Sequence, residues 1–152
     1  MKAFVIAVLA ATAGSAQAQH GGYAGQESRD IELNHFPGPM HVLELAEQLA
    51  LSEEHLAMTR KLMDQHKREA RSIGTELLDA ERALEALFRQ GSPDEAALAR
   101  AVREAAALQG DYRLSHLETH RRMRAVLTDE QVKRYDALRG YSSPQTEHKH
   151  RH

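Results

Sequence analysis

Histidine is the residue type in this sequence with the greatest capacity for site chemistry. The chain of 152 residues contains ten histidines and no cysteine. Disulfides, thiolate metal sites and cysteine nucleophiles are therefore excluded. Neutral imidazole nitrogens are suitable ligands for zinc, nickel, cobalt and copper. Any such site depends on which histidines the fold brings together.

Two of these histidines share a predicted helix face with a methionine. His116, His120 and Met123 follow one another at spacings of four and three, which places them on one face of a helix. His66 belongs to the apolar stripe of the preceding predicted helix. If the turn between the two helices centres between Gly91 and Ser92, His66 lies level with the residue after His116. We therefore expect His66, His116 and His120 to converge, with the Met123 thioether adding a preference for softer ions.

Further candidate ligands lie near both ends of the chain. His41 and Glu44 are one turn apart in a short first helix, and His148, His150 and His152 alternate in a polar tail. Three alternating rings in a flexible tail could capture a metal ion weakly. For each of these candidates, the alternative that the residue binds no metal stays open. A half-buried histidine is more often a hydrogen-bonded packing residue than a ligand, and a polar tail often has no role.

The elements that position these residues are helical. Spacings of three and four continue without a break along the second helix, with charged residues on its other faces. That stripe consists of Leu56, Thr59, Met63, His66, Ala70, Ile73, Leu77, Ala80, Leu84 and Leu87. The helix is expected to end at Gln90-Gly91. Ser92 is the predicted cap of a third helix, 93–126, whose apolar stripe includes Leu98, Val102, Ala105, Leu108 and Tyr112.

Short helices are predicted on both sides of this pair. Residues 40–50 form a first helix, and Ser52 caps the second. Thr128 and Gln131 form a capping box for a last helix that ends at Gly140. The predicted fold is therefore all-α, a long antiparallel helical hairpin with short flanking helices. Because a hairpin about 50 Å long buries its flanks poorly, we also expect a homodimer.

The termini are predicted to lie outside this domain. Residues 1–18 show the layout of a secretory signal, with Lys2, a short apolar run and an A-x-A cleavage site. Residues 19–38 are glycine-rich and are interpreted as a flexible arm, residues 39–141 as the helical domain, and residues 142–152 as a disordered histidine-rich tail. No other segment is apolar enough to indicate stable membrane insertion.

The two capped helix starts carry a resemblance. Leu127-Thr128-Asp129-Glu130-Gln131 is an intact LTxxQ motif, and 51–55 is a degenerate first copy with Ser52 for Thr and His55 for Gln. Together with the order of the helices, this resembles the Spy/CpxP superfamily, including its metal-responsive ZraP/CnrX branch. The resemblance implies a periplasmic, cradle-shaped antiparallel dimer that binds unfolded proteins without ATP, contacts a membrane stress or metal sensor, or binds zinc, nickel, cobalt or copper.

A basic surface is predicted at the same end of the hairpin as the histidines. It could attract acidic segments of unfolded clients, although a solvated face balanced by acidic residues is the more common case. The candidate client-binding residues are Arg60, Lys61, Lys67, Arg68, Arg71, Arg121 and Arg124. The net charge of −2 argues against nucleic acid as a partner.

Three functions follow as hypotheses, and none is an enzyme. The first is an ATP-independent chaperone for unfolded periplasmic proteins that responds to metal. The second is a periplasmic heavy-metal sensor or buffer acting in metal resistance, and the third is a partner of a membrane sensor. A di-iron bundle needs Glu-x-x-His on two helices, but the match from Glu32 to His35 lies in the predicted arm.

Overall fold

A computed structural model describes residues 28–141 of the chain. The predicted signal at 1–18 and the predicted tail at 142–152 lie outside the described residues. Four helices follow one another along the domain, and residues 28–33 are also helical. The helices are α1 (Pro39–Glu44), α2 (Glu53–Arg89), α3 (Glu95–Val126) and α4 (Asp129–Arg139). The prediction of an all-α fold is confirmed, since residues 28–141 contain no strand.

The two long helices pack against each other as the predicted antiparallel hairpin. Helix α2 has 37 residues and α3 has 32, so each is about 50 Å long. Every residue of the predicted α2 stripe, from Leu56 to Leu87, is buried or half-buried. The predicted apolar stripe of α3 is partly wrong, because Val102 and Tyr112 are 47% and 40% exposed. Ala101 and Thr119 face inward instead.

Capping residues determine where α2 and α4 begin and where α4 ends. The Ser52 hydroxyl accepts a hydrogen bond from the His55 backbone N–H, as predicted. Thr128 and Gln131 form the predicted reciprocal capping box at the start of α4. Gly140 ends α4 in the left-handed region at φ 72°, where a residue without a side chain avoids steric strain.

The predicted start of the third helix is wrong by two residues. Its cap is Asp94 and not Ser92, because the Asp94 carboxylate accepts hydrogen bonds from the backbone N–H groups of Ala96 and Ala97. A carboxylate at the positive end of the helix dipole is a strong cap. Ser92 and Pro93 therefore remain in the turn.

The first helix is shorter than the predicted range of 40–50. It ends at Glu44, and residues 45–50 continue as hydrogen-bonded turns. Ala50 has a positive φ of 48°, which redirects the chain into the Ser52 cap. The Gln131 side chain of α4 reaches back to these turns and donates a hydrogen bond to the Leu49 carbonyl. The capping box thereby also ties α4 to the end of the first helical region.

The hydrophobic core lies at the open end of the hairpin, away from the turn. It joins α1, the following turns, the start of α2, the end of α3 and α4. Its buried members are Val42, Leu49, Met123, Val126, Leu127, Val132 and Tyr135. Within residues 28–141, no helix is long and apolar enough to cross a membrane.

Residues 28–38 pack against this open end. Glu32, Pro37 and Gly38 are buried, and Glu32 is only 2% exposed. These residues fall within the glycine-rich arm predicted at 19–38, for which no role was predicted. Their burial results from tertiary contacts with α1, α3 and α4, which local sequence pattern does not reveal. We refer to residues 28–38 as the N-terminal segment.

Candidate metal site

Three histidine rings meet where the N-terminal segment crosses the hairpin. The ring centroids of His66 on α2 and His116 on α3 lie 5.5 Å apart. Those of His116 and His120, one turn apart on α3, lie 4.7 Å apart. The hairpin register therefore brings His66 beside His116, as the position of the turn predicted. We call His66, His116 and His120 the histidine cluster.

Hydrogen bonds from the N-terminal segment reach two rings of the cluster. His120 Nδ1 lies 2.8 Å from the Phe36 carbonyl oxygen. A carbonyl only accepts, so His120 donates from Nδ1, and in the neutral ring the lone pair is then on Nε2. The Ser28 hydroxyl lies 2.7 Å from His116 Nε2. The Nδ1 atom of His66 is buried and has no hydrogen-bond partner among the described residues.

Burial favours the neutral form of two rings in the cluster. It lowers the pKa of His116 to about 4, and the neighbouring His120 and His66 add to the effect. Burial also lowers the pKa of His66, again with a contribution from His120. These two rings are therefore neutral at neutral pH, and a neutral imidazole is the form that binds metal ions.

A buried carboxylate lies beside the cluster. Glu32 Oε1 accepts hydrogen bonds from His41 Nδ1 at 2.7 Å and from the Gly38 backbone N–H at 3.2 Å. Its Oε2 accepts from the Tyr141 hydroxyl at 3.0 Å, and an Arg139 guanidinium nitrogen lies 3.7 Å away. Burial opposes ionisation of Glu32, but the bonds from His41 and Tyr141 prevail and lower its pKa.

Gly38 separates this carboxylate from the cluster. A Cβ atom at Gly38 would lie 3.0 Å from His120 Cε1 and 3.1 Å from Glu32 Oε1. Both distances are shorter than ordinary van der Waals contact. The absence of a side chain at Gly38 thus permits Glu32 and His120 to approach each other.

The other predicted ligands lie in different surroundings. Met123 is fully buried in the hydrophobic core, where its thioether fills space among apolar side chains. His41 is half-buried and is hydrogen-bonded to Glu32. Glu44 is exposed at the end of α1. His148, His150 and His152 lie outside the described residues.

Sequence comparison identifies the family of the chain. A profile of the family described as heavy-metal resistance matches residues 3–134 of the chain. The chain belongs to the heavy-metal resistance family. This family is part of the Spy/CpxP-like helical group. No curated protein and no solved structure matches the chain.

The histidine cluster of this heavy-metal resistance protein has the ligand type that transition-metal ions bind, and its ring separations are close to those of two imidazoles on one ion. Two imidazoles on one tetrahedral ion, each with a metal–nitrogen distance of about 2.0 Å, have ring centroids roughly 5 Å apart. The observed separations are 5.5 and 4.7 Å. Among residues 28–141, no three histidine or acidic side chains already surround one point closely enough to hold an ion. The rings must therefore turn about their side-chain torsions to bind one ion together.

The predicted basic surface of the heavy-metal resistance protein is only partly free of acidic partners. Arg121 is ion-paired with Glu118, and Arg124 with Asp129. Exposed ion pairs of this kind leave little net positive charge to attract a client. The remaining candidate residues are all exposed on α2: Arg60, Lys61, Lys67, Arg68 and Arg71.

Proposed function

We propose that this heavy-metal resistance protein is a periplasmic sensor or buffer that binds a divalent ion at the histidine cluster. The ion is zinc, copper, nickel or cobalt, because neutral imidazoles favour these ions over calcium and magnesium. The proposal rests on one observation above all. His66 and His116, on different helices, lie 5.5 Å apart with lowered pKa values.

The surroundings of the rings support ligation over simple packing. A histidine that serves only in packing usually satisfies its buried ring nitrogens with hydrogen bonds. The buried Nδ1 of His66 has no partner within residues 28–141. His120 has the arrangement common in metal sites, with one nitrogen donating to a backbone carbonyl and the other left with a lone pair.

The experiment is a metal titration of the full chain in which the three tail histidines are replaced by asparagine (H148N, H150N and H152N). We call this variant the silenced chain. Zinc, nickel, cobalt and copper are each titrated by calorimetry. We expect one tight site per protomer for at least one of these ions. H66A and H116A, each in the silenced chain, should weaken that site about tenfold or more, because each removes a ligand.

A matched control uses another half-buried histidine of the same helix. His55 also lies on α2 and has a buried Nδ1 without a partner in the described part of the chain, but it is not part of the cluster. H55A should leave affinity unchanged. If the silenced chain binds none of the four ions, or if H66A and H116A bind as tightly as their parent, the proposal is wrong.

Two further expectations from the sequence stay predictions. Binding of unfolded clients through the basic surface predicts that the protein suppresses aggregation of a denatured substrate. K67A/R68A should reduce that effect, since both residues are exposed. Equal suppression by this variant would count against the basic surface as the client site.

The homodimer is the second expectation. Large apolar side chains remain exposed along the hairpin, among them Leu78, Phe88 and Leu114 at 45%, 58% and 56%. A second copy could cover such surfaces. Sedimentation equilibrium should give twice the mass of one chain, and a monomer at micromolar concentration would contradict the prediction.

A further inference from the structure

The N-terminal segment is hydrogen-bonded to the candidate site at both of its ends. Ser28, at the start of the segment, contacts His116 Nε2 at 2.7 Å. Phe36, near its end, accepts from His120 Nδ1 at 2.8 Å. Each ring therefore uses one nitrogen for the segment and has the other nitrogen available for an ion.

Contacts away from the cluster hold the segment in place. Glu32 is buried and bonded to His41 and Tyr141. His35 Nδ1 lies 2.6 Å from Asp136 Oδ2, and the Asp136 side chain is 7% exposed. These bonds join the segment to α1 and α4 without using an atom of the histidine cluster. The segment is thus a fixed support from which Ser28 and the Phe36 carbonyl reach the rings.

The chemistry of its partner determines the tautomer of His120 but leaves that of His116 open. The Phe36 carbonyl requires an Nδ1–H on His120, which leaves the lone pair on Nε2. The Ser28 hydroxyl can donate or accept, so it permits either tautomer of His116. The Nε2–H form is the more stable tautomer of a neutral histidine side chain in water. It would leave the lone pair of His116 on Nδ1.

We propose that the N-terminal segment positions the metal ligands, with Ser28 accepting from His116 Nε2–H and Phe36 accepting from His120 Nδ1–H. The lone pairs of His116 Nδ1 and His120 Nε2 are then the ones that bind the ion. This inference rests on the proposed function of the same cluster. A partner on the far nitrogen fixes the orientation of a ligating ring and increases its basicity. Ion binding and docking of the segment therefore strengthen each other.

Zinc affinity of Ser28 variants tests the coupling. In the chain with H148N, H150N and H152N, S28A should weaken zinc binding about 10- to 100-fold, the usual effect of removing such a partner. S28T keeps the hydroxyl and should restore affinity. The control is S72A, because Ser72 is exposed on α2 and bonded only to Glu76 in the described structure. Unchanged zinc affinity in S28A would overturn the inference.

The direction in which S28A changes zinc affinity distinguishes this inference from the alternative, in which the ion binds His116 Nε2. If the ion instead uses His116 Nε2, it must displace Ser28, and S28A would bind zinc more tightly. That result would overturn the positioning role while leaving the proposed metal site intact. A parent chain that binds no zinc, nickel, cobalt or copper would contradict both the positioning role and the proposed metal site.

A second readout needs no metal. Nitrogen-15 NMR of the imidazole rings in the metal-free protein should show His116 as the Nε2–H tautomer and His120 as the Nδ1–H tautomer. S28A should convert His116 to a mixture of tautomers and leave His120 unchanged. An Nδ1–H tautomer of His116 in the parent chain would overturn the assignment of Ser28 as the acceptor.

Discussion

The imidazole rings of His66 and His116 face each other across the helical hairpin, with 5.5 Å between their centroids. The Nδ1 atom of His66 is buried without a hydrogen bond among the described residues. An ion that both rings bind would satisfy that atom and link α2 to α3. Ion binding at this pair is the step by which we propose that the fold serves heavy-metal resistance.

Gly38 is predicted to be intolerant of even the smallest side chain. In G38A the new Cβ would meet His120 Cε1 at 3.0 Å and Glu32 Oε1 at 3.1 Å, and both groups are held by hydrogen bonds. We expect a loss of about 1–3 kcal/mol in the free energy of unfolding, the usual cost of overpacking. Urea denaturation measures this loss.

The matched control for that substitution is G110A. Gly110 lies within α3, and a Cβ there would meet nothing within 4 Å. Alanine favours a helix more than glycine does, so G110A should stabilise the protein by about 0.5–1 kcal/mol. Equal effects of the two substitutions would contradict the close approach of Glu32 and His120 at Gly38.

Glu32 is predicted to be a main anchor of the N-terminal segment. E32Q keeps the shape of the side chain but replaces one acceptor oxygen with an amide donor. His41, Gly38 and Tyr141 all donate to the carboxylate, so at least one of these donors loses its partner. We expect a loss of about 1–3 kcal/mol in the free energy of unfolding.

Hydrogen–deuterium exchange should show where E32Q acts. Backbone amides of the N-terminal segment should exchange faster in E32Q than in the parent, while those in the middle of α2 change little. The control is E47Q, because Glu47 is exposed and its substitution should change stability by less than about 0.5 kcal/mol. The anchoring role is wrong if the segment exchanges equally in E32Q and the parent.

Mild acid is predicted to destabilise the metal-free protein through His116. The ordinary pKa of 6.5 falls to about 4 in the folded state, mainly because of burial. Between these two values the unfolded chain binds more protons than the folded chain, so stability falls as the pH falls from about 6.5 towards 4. Thermal unfolding at pH 7 and pH 5 should show a lower midpoint at pH 5.

The variant H116Q separates this effect from other titrations. Glutamine does not titrate, so the drop in midpoint between pH 7 and pH 5 should be smaller in H116Q than in the parent. S72A, which alters an exposed position on α2, should keep the drop of the parent. An equal or larger drop in H116Q would show that His116 is not the source of the acid sensitivity.

Local sequence signals predicted much of this fold. The α2 stripe and the caps at Ser52 and Thr128 depend on residues close together in the chain, and all three are confirmed. The position of the turn then gave the register that places His66 beside His116. The predicted start of α3 was wrong because Ser92 and Asp94 are both favourable N-cap residues, and only the backbone path selects Asp94.

The surroundings of the histidines were not predictable in the same way. Glu32 and His35 were noted only as an isolated Glu-x-x-His pair in a glycine-rich stretch. Their partners, Tyr141 and Asp136, are more than 100 residues away in sequence. Burial of a carboxylate by such distant contacts leaves no periodic pattern, so a single sequence shows only the residue types and not their burial.

The most direct test of the metal site is anomalous X-ray diffraction from crystals of the tail-silenced protein loaded with zinc. We expect one strong anomalous peak per protomer between α2 and α3. Nitrogen atoms of at least two of His66, His116 and His120 should lie about 2.0–2.1 Å from that peak. A peak held only by residues outside the histidine cluster, or no peak in crystals grown with excess zinc, would contradict the account.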